Sequence, residues 1–500
     1  MKTIVLGPPG TGKTHTLLEK VEEYLKNTDP DKVGYFAFTR KAANEARDRA
    51  MNKFNLTEDD LPYFRTLHSF AFRRLGINKQ DVMQKSHYEA FGKEIRIPID
   101  YNEYDEEETG IFTTKSDYLR IINLAKLRNI SLDRQYNLKE HTQKVEYNKL
   151  KDVAAELEQF KKDRNLIDYN DMILRFIKSE EASPKFDVVF IDEAQDLSLM
   201  QWDMAKSIWN KTGDSFIAGD DDQAIFRWAG ADVDSFITQK GKLLNLTESV
   251  RVPRKVHDYA LKIIGRISNR LEKKWKPKNH EGKLSRHFSF EDINMKEGKW
   301  LVLTRAKYQL DDLEKVLKEK GLYYENRFRK TYEKNIQEAA LNWEHLRKGQ
   351  LLHYKDIMNV SQYMGPNHWE KKKLNSLVKD AFYGIDQLTK GYGLNINAVW
   401  HQSFDNVELN KITYIKKMRK SGEVLNQEPR IKLSTIHSVK GGEQDNVVIL
   451  PDLPRSSQIL YERNRDDETR LFYVGATRTK EQLHIVRPKD EHKAFPMGDV

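Results

Sequence analysis

The chain has 500 residues, enough for roughly three or four domains at about 100–200 residues each. Hydrophobic residues make up 38% and charged residues 32%, a globular rather than disordered balance. Cysteine is absent, which excludes disulfides, thiolate nucleophiles, Cys-held zinc and Cys-held iron–sulfur clusters, and no apolar run approaches the roughly 18–20 residues of a membrane span.

The net charge of +9 suits a nucleic-acid partner, although the clustering of basic residues matters more than their sum. Met1 to Ile4 lead straight into a strand and a glycine loop, so no signal peptide is expected. These features are compatible with the cytosol without demanding it, and no membrane partner is expected.

In chain order, Ile4-Val5-Leu6 predicts a strand, Gly7 to Thr14 a tight loop, and Leu17, Leu18, Val21 and Tyr24 the apolar face of a helix. Val33 to Phe38 predicts a second strand, and Lys41 to Met51 a charged helix. From residue 78 polar helical stretches dominate, interrupted by an acidic run at 100–108 that reads as a solvated loop. Val188-Val189-Phe190-Ile191 is a continuous apolar strand of the kind buried on both faces of a parallel sheet, and Ser215 to Ala218 is another.

Near 266–284 the composition shifts. Lys273, Lys274, Lys276 and Lys278 surround Trp275 and Pro277, which reads as a basic, solvated linker. Trp300 to Leu303 predicts a strand and Asp311 to Lys320 a helix, and strand texture returns at Ile431 to Leu433 and Asn446 to Leu450. The predicted class is α/β, with two parallel-sheet cores each interrupted by a helical insertion. The first core takes residues 1–77 and 168–243 around an insertion at 78–167. The second takes 244–330 and 429–500 around an insertion at 331–428.

Gly7-Pro8-Pro9-Gly10-Thr11-Gly12-Lys13-Thr14 matches the phosphate-binding loop. Glycines let successive backbone N–H groups curl around phosphate oxygens, and the helix that follows adds its positive end. Lys13 is placed to reach the β and γ phosphates, and Thr14 to coordinate Mg²⁺. Asp192-Glu193 follows the buried strand at 188–191, where a carboxylate for Mg²⁺ (Asp192) and a general base for the attacking water (Glu193) belong. An ordinary acidic helix cap would look the same in isolation. Gln223, after the next strand, is a candidate sensor of the γ phosphate, and Arg251 and Arg478 are candidates to neutralise charge in the transition state. Both arginines fall in the predicted second core, so hydrolysis is expected to depend on closure of the two cores.

With these residues in place, the chain resembles superfamily 1 DNA helicases of the UvrD/Rep/PcrA type, and most of all a compact, phage-type member. The resemblance rests on an ordered series: Gly7 to Thr14, Phe38 to Ala43, Thr66 to Phe70, Ile191 to Asp196, Gly219 to Gly230, Ser249 to Arg251, Ser434 to Glu443, and Glu468 to Arg478. It implies two RecA-like cores that use ATP and Mg²⁺. Lys13, Thr14, Asp192, Glu193, Gln195, Gln223, Arg251 and Arg478 would serve the nucleotide, and Glu443 would touch its ribose. Phe38, Thr39, Thr66, His68, Phe226, Trp228, His437 and Ser438 would face single-stranded DNA. Phe226 and Trp228 stand two apart, so in an extended segment they would share one face, and stacking on such rings tolerates any base sequence.

The resemblance further implies 3′-to-5′ movement, tailed duplex DNA as substrate, replication or repair proteins as partners, and a monomer or weak oligomer. The chain departs from the family in places. Six residues precede Gly7, where relatives carry an adenine-reading glutamine segment, and Val250 replaces a stacking aromatic, so GTP or CTP is expected to support some activity. Ala229 stands for an expected Arg, and Gly442 for a common Leu. Both insertions are short, which keeps open a DNA-stimulated ATPase that translocates or strips proteins without unwinding. An ATP-switched recruitment module is a further alternative, and RNA is not excluded as the track. With 22 residues after Arg478, no nuclease domain is expected there.

Overall fold

The computed structural model describes residues 1–99, 112–141, 144–179, 181–329, 333–424, 427–439 and 442–498. The acidic run at 100–108 and the motif residues Lys440 and Gly441 lie outside the described residues. Two compact units form: residues 1–283, 453–480 and 491–500, and residues 284–452 and 481–490.

The first unit is built on β1 (Lys2–Leu6), β2 (Val33–Phe36), β3 (Phe64–Arg65), β4 (Val188–Ile191), β5 (Asp214–Gly219) and β6 (Lys242–Asn245). They form one sheet in the order β3-β2-β4-β5-β1-β6, and every pairing is parallel. The apolar run Val188–Ile191 is buried along its whole length because β4 is interior to the sheet and covered on both faces. The helix Lys13–Leu25 lays Leu17, Leu18 and Val21 on this sheet, as their three- and four-residue spacing requires. The chain returns from strand to helix at the carboxyl ends of β1 and β4, which is where an open parallel sheet collects its ligands.

The first insertion has its own core, in which Phe91, Ile121, Leu150 and Phe160 are buried. Lys161, 3% exposed at its side chain, reaches Asp168 at 2.8 Å and Asp171 at 2.5 Å. Asp168 caps the helix Tyr169–Lys178, so this buried ionic cluster ties the insertion to the helix that carries Tyr169.

The remaining strands are β7 (Lys283–His287), β8 (Trp300–Thr304), β9 (Tyr324–Asn326), β10 (Leu352–His353), β11 (Phe382–Tyr383), β12 (Ile431–Thr435), β13 (Gln444–Ile449) and β14 (Thr479–Val486). Six of them make a sheet in the order β7-β14-β13-β8-β12-β9, with β8 parallel to β12 and β13, and β12 parallel to β9. β10 and β11 form a separate antiparallel ribbon. The second insertion does not have a core apart: Trp343, Ile357, Leu388 and Met418 join Val302, Leu313 and Leu433 in one cluster.

Compaction divides the chain differently from the sequence boundaries. Residues 244–283, 453–480 and 491–500 gather with the first sheet. The cause is local packing: the helix Arg465–Ala476 lies on the helix Arg254–Ile264 and on the turn Asp221–Gln223. The chain end is sewn to the same place, with Tyr259 Oη donating to the Met497 carbonyl at 2.5 Å. Among the described residues no helix is long and apolar enough to cross a membrane.

Candidate nucleotide and nucleic-acid site

The loop after β1 is held open by its glycines. Gly10 (φ 72°) and Gly12 (φ 82°) occupy the left-handed region. A Cβ on Gly7 would sit 1.9 Å from Lys13 Cγ, and one on Gly10 would sit 2.5 Å from Arg251 Cβ. Lys13 Nζ donates to the Gly7 carbonyl at 2.9 Å, so its ammonium lies folded over the loop.

Thr14 Oγ1 donates to Asp192 Oδ2 at 2.8 Å, which brings the two expected Mg²⁺ ligands together from 178 residues apart. Tyr35 Oη donates to the same oxygen at 3.0 Å. Burial first, and then the neighbouring Glu193 carboxylate, push the Asp192 carboxyl above its ordinary range. A hydroxyl and a crowded carboxylate are hard oxygen donors in the arrangement that suits a divalent cation. Glu193 is held at φ 55°, a conformation that costs a non-glycine residue about 1–3 kcal/mol and collects at functional positions.

From Glu193 a hydrogen-bonded line runs across the sheet ends. Gln195 Nε2 donates to Glu193 Oε2 at 2.6 Å, and Gln195 Oε1 accepts from the Asp220 N–H at 3.0 Å. Asp220 Oδ2 accepts from Gln223 Nε2 at 2.7 Å, and Gln223 Oε1 accepts from Arg478 Nη2 at 3.4 Å. Arg478 is 3% exposed.

By compactness both arginines group with the unit that carries the phosphate loop, and Arg478 stands directly before β14 of the second sheet. Ser249 explains the position of Arg251. Its Oγ donates to the Pro9 carbonyl at 2.9 Å, while the Val250 N–H donates to the Gly10 carbonyl at 2.9 Å. Val250 is 83% exposed beside the loop.

The expected DNA-facing residues divide. Phe38 and Phe226 are buried and stack on each other, with centroids 5.4 Å apart and planes 28° apart. Residues Arg227–Ala229 form a 3₁₀ turn, so Phe226 and Trp228 do not share the face of an extended segment, which corrects that expectation. The tight turn buries Phe226 and leaves Trp228 38% exposed. Thr39 and Thr66 cap helices, accepting from the Ala42 and Ser69 N–H groups. His437, Ser438 and Glu443 belong to the second unit, where Ser438 Oγ pairs with Thr435 Oγ1 at 3.0 Å.

The family model for the UvrD/REP helicase N-terminal domain matches residues 1–243, and that for the UvrD-like helicase C-terminal domain matches residues 431–486. The chain belongs to the UvrD/Rep helicase family. It is similar to the ATP-dependent DNA helicase Rep of Buchnera aphidicola subsp. Baizongia pistaciae, at 24% identity over 49% of this chain and 37% of the relative. It is also similar to the ATP-dependent DNA helicase PcrA of Bacillus subtilis, at 23% identity over 72% of this chain and 50% of the relative. A second Rep, from Buchnera aphidicola subsp. Acyrthosiphon pisum, is 22% identical over 96% of this chain and 91% of the relative. The chain thus spans half or less of the length of the first two relatives.

Several site residues of this UvrD/Rep-family chain escape a sequence reading. Tyr35 looks like core filler in an apolar strand, and only the fold shows its hydroxyl on Asp192. Ser249 gives no signal beyond its motif. Lys273, read as part of a solvated run, is 4% exposed at its side chain and contacts Asp220, Asp221 and Asp222. Trp275 is buried too, so this segment is a strap on the first unit and not a free linker.

His68 is buried against Tyr169 in an edge-on contact, centroids 5.6 Å apart, and burial pushes its imidazole down to about 4. An unfolded chain binds this proton near pH 6.5, whereas the folded chain refuses it until about pH 4. The contribution of His68 is therefore complete above pH 6.5 and is lost as pH falls toward 4, by up to roughly 3 kcal/mol. Urea unfolding from pH 7.5 to 4.5 should show this loss, and His68→Gln should flatten the acid limb. An acid limb equally steep in that variant contradicts the assignment.

Proposed function

We propose that this protein is an ATP-driven motor on single-stranded DNA, moving 3′-to-5′ and unwinding tailed duplex in replication, repair or recombination. The observation that carries the reading is the unbroken hydrogen-bonded line from Thr14 through Asp192, Glu193, Gln195, Asp220 and Gln223 to Arg478 in one compact unit. A nucleotide-binding switch needs no such link between a general base and a buried guanidinium.

The backbone of Gly7 to Gly12, with Pro8, Pro9 and Thr11, cradles the phosphates, and Lys13 leaves the Gly7 carbonyl to reach the β and γ oxygens. Thr14 and Asp192 would hold Mg²⁺, which when bound offsets the phosphate charge. Glu193 takes the proton of the attacking water, Gln223 senses the γ phosphate, and Arg251 and Arg478 neutralise its developing charge. Gln195 orients Glu193, and Glu443 serves the ribose. With Val250 in place of a ring, the base is read weakly.

Trp228, 38% exposed, would stack on bases, and Phe38, Thr39, Thr66, His68, Phe226, His437 and Ser438 would serve the DNA path. Phe38 and Phe226 act as one stacked pair that backs this path. The short insertions favour one second reading, a DNA-stimulated translocase that strips proteins without processive unwinding. A strand-displacement assay beside a translocation assay separates the two.

The test is steady-state ATP hydrolysis with and without single-stranded DNA. Strong stimulation is the expected result, and hydrolysis indifferent to DNA overturns the motor. Trp228→Ala should raise the DNA concentration needed for half-stimulation by roughly 5- to 100-fold, the equivalent of one lost base stack. An unchanged DNA requirement removes Trp228 from the track.

A further inference from the structure

The three consecutive acids after β5 are all buried, at 1% exposure or less. Their counter-charge arrives from about 50 residues downstream, on the strap at 266–284. Lys273 Nζ lies 2.9 Å from Asp220 Oδ1 and 3.0 Å from Asp222 Oδ2, and also contacts Asp221. Arg270 spans both oxygens of Asp222, and the Leu271 N–H donates to Asp221 Oδ2 at 2.8 Å. Arg470, also buried, donates to the backbone carbonyls of Asp221 and Asn269, so strap and turn are clasped from a third side.

One oxygen of Asp220 faces this cluster and the other faces the chemistry. Oδ1 takes Lys273 and the Asp222 N–H, whereas Oδ2 accepts from Gln223 Nε2. An ionised carboxylate can only accept, so it must be met by the amide nitrogen of Gln223. The amide oxygen is thereby turned the other way, to Arg478 Nη2. A protonated Asp220 is a donor and would be satisfied by the amide oxygen instead. The amide nitrogen would then face a guanidinium, two donors without an acceptor. Lys273 is the cation on Asp220 Oδ1, whereas Asp222 keeps Arg270, so removing Lys273 strips the adjacent counter-charge from Asp220 and favours its protonated form. The charge of Lys273 therefore selects the orientation of Gln223.

We infer that Lys273 is a positioning residue for hydrolysis: through Asp220 it holds the Gln223 amide with its oxygen toward Arg478. This rests on the ATPase reading above, in which Gln223 and Arg478 serve the γ phosphate. It also gives the strap a purpose other than charge on a surface, since Lys274 and Lys276 beside it are exposed while Lys273 points inward.

The experiment is a double-mutant cycle of Lys273→Met and Gln223→Ala on the full chain, read as kcat and KM for ATP at saturating single-stranded DNA. Lys273→Met should lower kcat about tenfold or more with KM changed less than about threefold, because it disturbs a group used in the transition state. In the Gln223→Ala background the same substitution should lower kcat by no more than about twofold. An equal loss in both backgrounds, or an unchanged kcat, overturns the inference.

Should Lys273→Met fail to fold, Asp220→Asn enters the same cycle. It is isosteric, leaves the Gln223 amide without a fixed acceptor, and carries the same expectation. Wild-type protein without DNA-stimulated hydrolysis would overturn the ATPase reading and this inference with it. Wild-type hydrolysis abolished by Glu193→Gln, together with an inert Lys273→Met, overturns this inference alone.

Discussion

Glu193→Gln is expected to lower DNA-stimulated ATP turnover at least about 100-fold while leaving the affinity for nucleotide within about threefold of wild type. The substitution keeps the size of the side chain and removes its ability to take a proton. Glu193 is held for this task in two ways. Its backbone is pinned in the left-handed region, and Gln195 Nε2 grips one carboxylate oxygen at 2.6 Å. Binding survives because the phosphates are held by the loop and Lys13. Nucleotide titration with a fluorescent analogue, beside steady-state hydrolysis, checks both halves. Turnover within tenfold of wild type would exclude Glu193 as the base.

Arg478→Ala should cost about 10³-fold in turnover, equivalent to about 4 kcal/mol of transition-state stabilisation. Arg478→Lys should recover little of this, because an ammonium lacks the planar fork that can meet Gln223 and a γ oxygen together. Arg478 is positioned by the buried helix Arg465–Ala476, which ends two residues before it. A Lys variant with wild-type thermal stability and defective turnover separates chemistry from folding. If Lys restores turnover to within about tenfold of wild type, charge alone suffices and the proposed fork is wrong.

Much of the fold is legible in the chain. A run such as Val188–Ile191, apolar at every position, has nowhere to go but the interior of a parallel sheet, and it forms β4 without a shift of boundary. Ser215 to Ala218 lies within β5, and Asp311 to Lys320 within the helix Leu310–Lys320. The phosphate loop is equally readable, since its chemistry is local: three glycines, a lysine and a threonine at fixed spacing, each required by a backbone or phosphate contact.

Contacts between distant segments are not written in any local pattern. Arg251 and Arg478 stand out in the sequence only as candidate arginines, and their place follows from Ser249 gripping the Pro9 carbonyl and from a helix packed on the Asp221–Gln223 turn. Residues two apart share a face only in an extended backbone, and a single 3₁₀ turn at Arg227–Ala229 leaves Phe226 buried and Trp228 partly exposed. Lys273 is one lysine among several in a basic stretch, and nothing in its neighbours says that it turns inward to three carboxylates.

Local patterning therefore sufficed for the class of fold and for the strand, loop and helix around Gly7 to Thr14, because periodicity and short-range backbone geometry act over a few residues. The tertiary structure alone decided which cations meet which anions. Burying Asp220, Asp221 and Asp222 demands opposite charge at contact distance. Only the folding of the strap shows that Lys273 and Arg270 supply it.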